Sequence, residues 1–161
     1  MTQPDPNPAP LTPGTDAALA ASDAPAASAP RARATALRVL TATAILVSAV
    51  MHLVLYAEWA KNLSPLGEAF LAQAIAGVLL AGVVLVWRSP LALVAAVLYG
   101  AGSIAAFSLS AATGFLGVTA QLVGWQDYVT KGAEAVTVIA ALAALAMAVP
   151  VVTSDVGGQA E

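Results

Sequence analysis

The stretch VLTATAILVSAVMHLVLYA, Val39–Ala57, decides the fold: it runs for 19 residues without a charge. At about 1.5 Å per residue, a helix of that length reaches about 28 Å, close to the thickness of a bilayer's hydrocarbon core. Working outward, the same kind of run recurs at Ala69–Trp87, Leu91–Ala112 and Ala135–Val152, with 19, 22 and 18 residues. All seven charges between Val39 and Val152 (Glu58, Lys61, Glu68, Arg88, Asp127, Lys131, Glu134) fall between these runs or at their edges. Transmembrane strands are about 9–11 residues of alternating pattern, whereas an unbroken helix satisfies its own backbone groups in hydrocarbon. The pattern therefore predicts an all-α fold: a four-transmembrane-helix, up-down-up-down bundle over residues 35–152. Its spans are expected at about 39–57, 69–87, 91–112 and 133–152.

Composition supports that reading. Of 161 residues, 60% are hydrophobic and 9% are charged, and the mean hydropathy is +0.85. An ordinary soluble domain carries about 25% charged residues, so this chain has too few to cover a surface in water. The net charge of -3 lacks the clustered Lys and Arg of a phosphate-binding surface, so no nucleic-acid partner is expected. With no cysteine, disulfides, Cys-ligated zinc, iron–sulfur clusters and thiol catalysis are excluded.

Residues 1–34 differ in kind, holding seven of the ten prolines among Ala, Ser, Thr and Asp. Such a segment buries too little to offset its ordering entropy, and a disordered cytoplasmic tail is expected. A secretory signal fits poorly, because the first apolar run starts too late and is long enough to span. Residues 153–161, with Gly157 and Gly158, read as a short C-terminal tail. Arg31, Arg33, Arg38 and Arg88 fall on one side of the spans and Lys61 and Lys131 on the other. By the positive-inside rule both termini are expected in the cytoplasm of a bacterium, with the protein in its plasma membrane.

The connections suit alternating helices. Trp87-Arg88-Ser89-Pro90 reads as a tight hairpin with Pro90 starting the next helix, and Ser64-Pro65-Leu66-Gly67 breaks the chain before the second span. The third connection, Thr113 to Lys131, carries Phe115, Leu116, Trp125 and Tyr128. With Tyr56 and Trp59 these form an expected aromatic belt at the outer interface.

Residues three and four apart share a helix face. Span one then has the stripe Thr41, Ser48, His52, Tyr56, and span two Gln73, Gly77, Ala81. Span three has Ala95, Tyr99, Ser103, Ala106, Ser110, and span four Glu134, Thr137, Ala141, Ala144, Ala148. Small residues and hydroxyls of this kind pack membrane helices together and hydrogen-bond across them. The Tyr99 hydroxyl needs a partner at depth, with Ser48 or Thr137 available.

If the helices alternate, His52, Gln73, Ser110 and Glu134 reach similar depth near the outer face, and they form the expected ligand-binding cluster. Polar groups at membrane depth are costly, which makes them functional hypotheses. Each also has a structural reading. His52 suits an interhelical hydrogen bond or a pair with Glu134 or Glu68. Glu134 and Glu68 suit the first turn of a helix, Gln73 an interhelical donor, and Glu58 and Lys61 a weak pair in water. One histidine cannot supply bis-His haem ligation within one chain or an H-E-x-x-H zinc site, so no metal and no cofactor are expected. Spans free of Lys and Arg argue against a voltage sensor, and four short spans leave little room for the broken helices of many secondary transporters.

The run His52-Leu53-Val54-Leu55-Tyr56, followed by Gly67-Glu68-Ala69-Phe70-Leu71-Ala72-Gln73-Ala74-Ile75-Ala76-Gly77, resembles a family of small four-helix integral membrane proteins of actinobacteria. Ser110, Gly114, Phe115 and Gly117 at the end of the third span, and Glu134 opening the fourth, extend the resemblance over Val39–Val152. The resemblance implies a membrane location and the four-helix fold, and assigns no reaction. The expected function is thus a non-enzymatic, multi-pass membrane protein that binds a small ligand or a partner at the outer polar cluster. Its partners are the lipid bilayer and a second copy or another membrane protein. The alternatives are a small transporter or channel component, and a quinone-linked redox accessory subunit.

Overall fold

The computed structural model describes residues 15–114 and 117–148, with side chains described from residue 29 onward. The expected belt residues Phe115 and Leu116 and the tail 153–161 lie outside the described residues, as do residues 1–14. Every regular element is helical: α1 (Thr15–Glu58), a 3-10 turn (Ala60–Asn62), α2 (Leu66–Val86), α3 (Pro90–Thr113) and α4 (Trp125–Ala148). Four stretches, Ala29–Glu58 and the whole of α2, α3 and α4, are long and apolar enough to cross a membrane.

Two units divide at Arg33 and Ala34. The first contributes helix from Thr15, within the segment whose composition predicts disorder; its many alanines favour that conformation. The second, from Ala34 on, carries everything described below.

The helix ends follow local chemistry. The Ser89 side chain accepts from Leu91 N at 3.2 Å, with Pro90 at the first helical position, so α3 starts where the hairpin reading expects it. Gly114 ends α3 at φ 75°, a conformation that L side chains rarely adopt, and its N–H donates to Ser110 O at 3.0 Å. Helix α4 begins at Trp125, whereas the charge-free run suggested about 133. Asp127 explains the earlier start: its Oδ2 accepts from Val123 N at 3.1 Å and Gly124 N at 3.0 Å, holding amides just ahead of the helix.

The packed core is built from Ala42 and Ile45 of α1, Ala81 and Val84 of α2, Ala92, Leu93 and Ala96 of α3, and Ala141 and Ala144 of α4. Close approach depends on small side chains. A Cβ on Gly77 would lie 2.8 Å from Ala49 Cβ, and one on Gly100 would lie 2.9 Å from Glu134 O. Two stripe hydroxyls, and Thr130 on the same helix as one of them, bond their own helices: Thr41 donates to Leu37 O, Thr130 to Gln126 O and Thr137 to Ala133 O, at 2.7–2.9 Å. Tyr99 and Ser103 of α3 do bridge helices, to Gln73 O of α2 and to Glu134 of α4. Facing outward, Leu79, Leu98 and Ile139 are 66–68% exposed. Apolar exteriors of that kind suit hydrocarbon as surrounding solvent.

The hairpin between α2 and α3 is held from α1. The Arg38 guanidinium donates from Nη1 to Val84 O (3.3 Å) and Trp87 O (3.2 Å), and from Nη2 to Arg88 O (2.8 Å) and Ser89 O (3.3 Å). The last carbonyls of a helix have no partner inside it, and a cation there is also favoured by the helix dipole.

Candidate functional site

Away from that hairpin, the helices stand back from one another around a cavity of about 610 Å³. Its wall draws on α1 (His52, Leu55, Glu58), α2 (Phe70, Gln73), α3 (Ser103, Phe107, Ser110), α4 (Gln126, Thr130, Lys131) and the loop from Val118 to Gly124. Three of the four expected site residues, His52, Gln73 and Ser110, line it. The fourth, Glu134, lies in the wall behind it, 0% exposed.

Glu134 is the best-supported group of the site. Ser103 Oγ donates to Oε1, and Lys131 Nζ donates to Oε2 at 2.6 Å. Lys131 also sits over the Phe107 ring, 4.8 Å from its centroid, a favourable place for a cation. A buried carboxylate is tolerable only with its charge compensated and its lone pairs bonded. Sequence spacing placed Ser103 in a packing stripe and Lys131 in a loop, so both were missed as site residues. The three-residue separation of Lys131 and Glu134 was the available signal, because such pairs face each other once both are helical.

His52 faces the same carboxylate from α1, with Nε2 3.8 Å from Glu134 Oε1. That distance is too long for a hydrogen bond. Its Nδ1 lies 2.8 Å from Ser48 O. A carbonyl can only accept, so Nδ1 carries the hydrogen, and in the neutral ring Nε2 is left as an acceptor turned toward the cavity wall. Of the two acids weighed as its partner, Glu134 is the one that faces it; Glu68 is exposed in the first turn of α2. The His52 ring lies 5.4 Å from that of Phe70, which in turn meets Trp59 edge-on at 5.8 Å.

Gln73 departs from its expected role. Its Nε2 is buried and has no hydrogen-bond partner among the protein's atoms. Its backbone carbonyl, however, accepts from the Tyr99 hydroxyl at 3.2 Å, and the side chains of Ser48, one of the two partners expected for Tyr99, and of Gln73 lie beside the same hydroxyl. Ser110 donates to Val118 O at 2.6 Å and accepts from Ala120 N at 3.1 Å. Its hydroxyl thus ties the connecting loop to α3 with both bonding functions used. Glu58 accepts from Gln126 Nε2 at 3.3 Å instead of pairing with Lys61.

The arrangement is therefore an aromatic and aliphatic pocket with a neutralised ion pair behind it, His52 Nε2 facing that pair at 3.8 Å and Gln73 Nε2 buried without a partner. Among the described residues no group of three or more His, Cys, Asp or Glu side chains is placed to hold a metal ion. Comparison with protein-family models, with curated proteins and with solved structures gives no match.

Proposed function

We propose that this chain is a non-enzymatic membrane protein of a bacterial plasma membrane that binds a small amphipathic molecule in the cavity beside Glu134. The observation that carries the reading is a cavity of about 610 Å³ whose wall joins Phe70, Phe107 and Trp59 to the polar side chains of His52, Ser103 and Lys131. Cavities of about 300–1,000 Å³ with a mostly apolar lining and a few convergent polar groups are the usual form of a small-molecule site. The bundle runs up-down-up-down. Two contacts support this: Arg38 near the start of the α1 span meets the α2–α3 hairpin, while His52 near its end meets Glu134 in the early turns of α4. Both termini are cytoplasmic by Lys and Arg distribution, which turns the cavity mouth outward.

A pore through one chain is a weaker reading. Ile45, Val84, Leu93, Ala96 and Ala141, all 0% exposed, fill the half of the bundle away from the cavity. The test is retention of a native ligand. Protein extracted gently from its own membrane is expected to carry a small molecule detectable by native mass spectrometry. Ala106→Trp, which fills the cavity from α3, is expected to lose it while unfolding at a similar temperature. Bare wild-type protein that is also not stabilised by any amphiphile of a broad panel would sink the reading.

A further inference from the structure

Resting on that reading, we propose that the ligand is an organic cation whose ammonium is held at the mouth of the cavity by Glu58 and Asp127, beside the rings of Trp59 and Phe70. Charge balance over the whole lining carries it. Among the described residues, the titratable side chains that line the cavity are His52, Glu58, Asp127 and Lys131; every other polar side chain there is a neutral amide, hydroxyl or indole. Lys131 is committed, because its Nζ donates to Glu134 Oε2 at 2.6 Å, and both ion contacts among the described residues run to Glu134. Glu58 and Asp127 have no counter-charge. The groups they bond, the Gln126 amide and the Val123 and Gly124 N–H groups, are neutral. A proton on His52 would offset one of these charges and still leave the wall negative. A cleft lined by charge of one sign concentrates ligands of the other, whereas an anionic ligand would find the one lysine already paired.

The two acids stand at one end. Gln126 Nε2 donates to Glu58 Oε2 at 3.3 Å, joining the last residue of α1 to the first turn of α4, where Asp127 follows. Trp59 comes directly after Glu58 and meets Phe70 edge-on at 5.8 Å. Glu58 and Trp59 are exposed while Asp127 and Phe70 are half-buried, so this end is the open one. The wall already shows how it holds a cation. The Lys131 ammonium sits 4.8 Å from the Phe107 centroid while bonded to Glu134, a ring and a carboxylate acting together. At the mouth, Trp59, Phe70, Glu58 and Asp127 repeat that combination, with no cation of the protein's own paired to them among the described residues. Leu55, Leu66, Ala69 and Ala106 then receive the apolar body of the ligand. A free amphiphilic amine and the ethanolamine head of a lipid present the same ammonium.

The experiment uses the full chain in uncharged maltoside micelles at neutral pH, with nitroxide probes read by electron paramagnetic resonance against protein-free micelles. The probes 4-amino-TEMPO, 4-hydroxy-TEMPO and 4-carboxy-TEMPO share one ring and carry a cation, a neutral hydroxyl or an anion. The amine is expected to bind about tenfold tighter than the hydroxyl, which a partly exposed cation–π contact and an ion pair together supply. That ratio is expected to fall to about one in Glu58→Gln combined with Asp127→Asn, with hydroxyl binding unchanged. Both replacements keep an oxygen that accepts from Gln126 or from Val123 and Gly124, so the unchanged neutral probe separates a lost charge from a damaged fold. Displacement of the amine by dihexanoyl phosphatidylethanolamine, but not by its phosphatidylglycerol counterpart, would assign the ammonium to a lipid head; displacement by neither would assign it to a free amine, and either supports the proposal. Equal binding of amine and hydroxyl, abolished by Ala106→Trp, would overturn the cation and leave the cavity as a binding site. So would tighter binding of the carboxylate, or a preference for the amine that survives the double variant. Immobilisation of no probe, or immobilisation that survives Ala106→Trp, would also overturn the cation, and the native-ligand test then decides the cavity reading on its own.

Discussion

Around the α2–α3 hairpin the helices meet through Ala42, Ile45, Ala81, Val84, Ala96 and Ala141, all 0–2% exposed. On the far side of Glu134 the same four helices stand apart, with His52, Gln73, Ser103, Thr130 and Lys131 turned toward a cavity or its wall. Lipid tails are as apolar as the side chains they touch, so apolar burial does not drive helices together here as it does in water. The hairpin half is held by close contact between small side chains and by Arg38. The cavity half gives up that contact and is held by specific polar bonds. A region that sacrifices packing in a membrane yet keeps an ion pair beside the gap is the one to associate with function.

The widest separation between the halves is expected from the ion pair. Lys131→Met leaves the fully buried Glu134 carboxylate without its counter-charge and is expected to cost about 3–5 kcal/mol, read as a shifted midpoint in detergent denaturation. Combining it with Glu134→Leu is expected to recover most of that loss. A double variant as unstable as the single one would show that Lys131 acts by packing instead.

A second comparison makes one chemical change in both halves. Ala96→Leu adds three carbons to a site with 0% exposure and is expected to destabilise by about 1–3 kcal/mol. Ala106→Leu directs the same carbons into the cavity and is expected to stay within about 0.5 kcal/mol. Equal costs at the two positions would mean that the cavity is not open space. A local effect is expected at Ser110→Ala, about 1 kcal/mol from the bonds to Val118 O and Ala120 N. Faster hydrogen exchange confined to the loop amides, Ala120 first, would identify it.

The helices were legible because hydrocarbon imposes one rule, no unpaired charge, and four runs obey it. The same rule misplaced the start of α4. Asp127, Lys131 and Glu134 precede the fourth charge-free run, yet each is satisfied inside the helix or at its start, by backbone amides or by each other. Matching residues by depth drew His52, Gln73, Ser110 and Glu134 to one end, and the structure brings His52 to within 3.8 Å of Glu134. Their individual bonds were not legible. Whether Ser110 meets a loop or a ligand, and whether Thr137 bonds its own helix or the next, depends on rotamers and on a connection that sequence spacing cannot fold.

Arg38 bears on how the protein is made. The carbonyls that its guanidinium collects lie 46 to 51 residues downstream, so none of them has left the ribosome when α1 first reaches the bilayer. Until then its charge must rest among lipid headgroups. Closure of that end of the molecule therefore waits on synthesis of the turn between α2 and α3, and a nascent chain truncated before Val84 should leave the first span only loosely anchored.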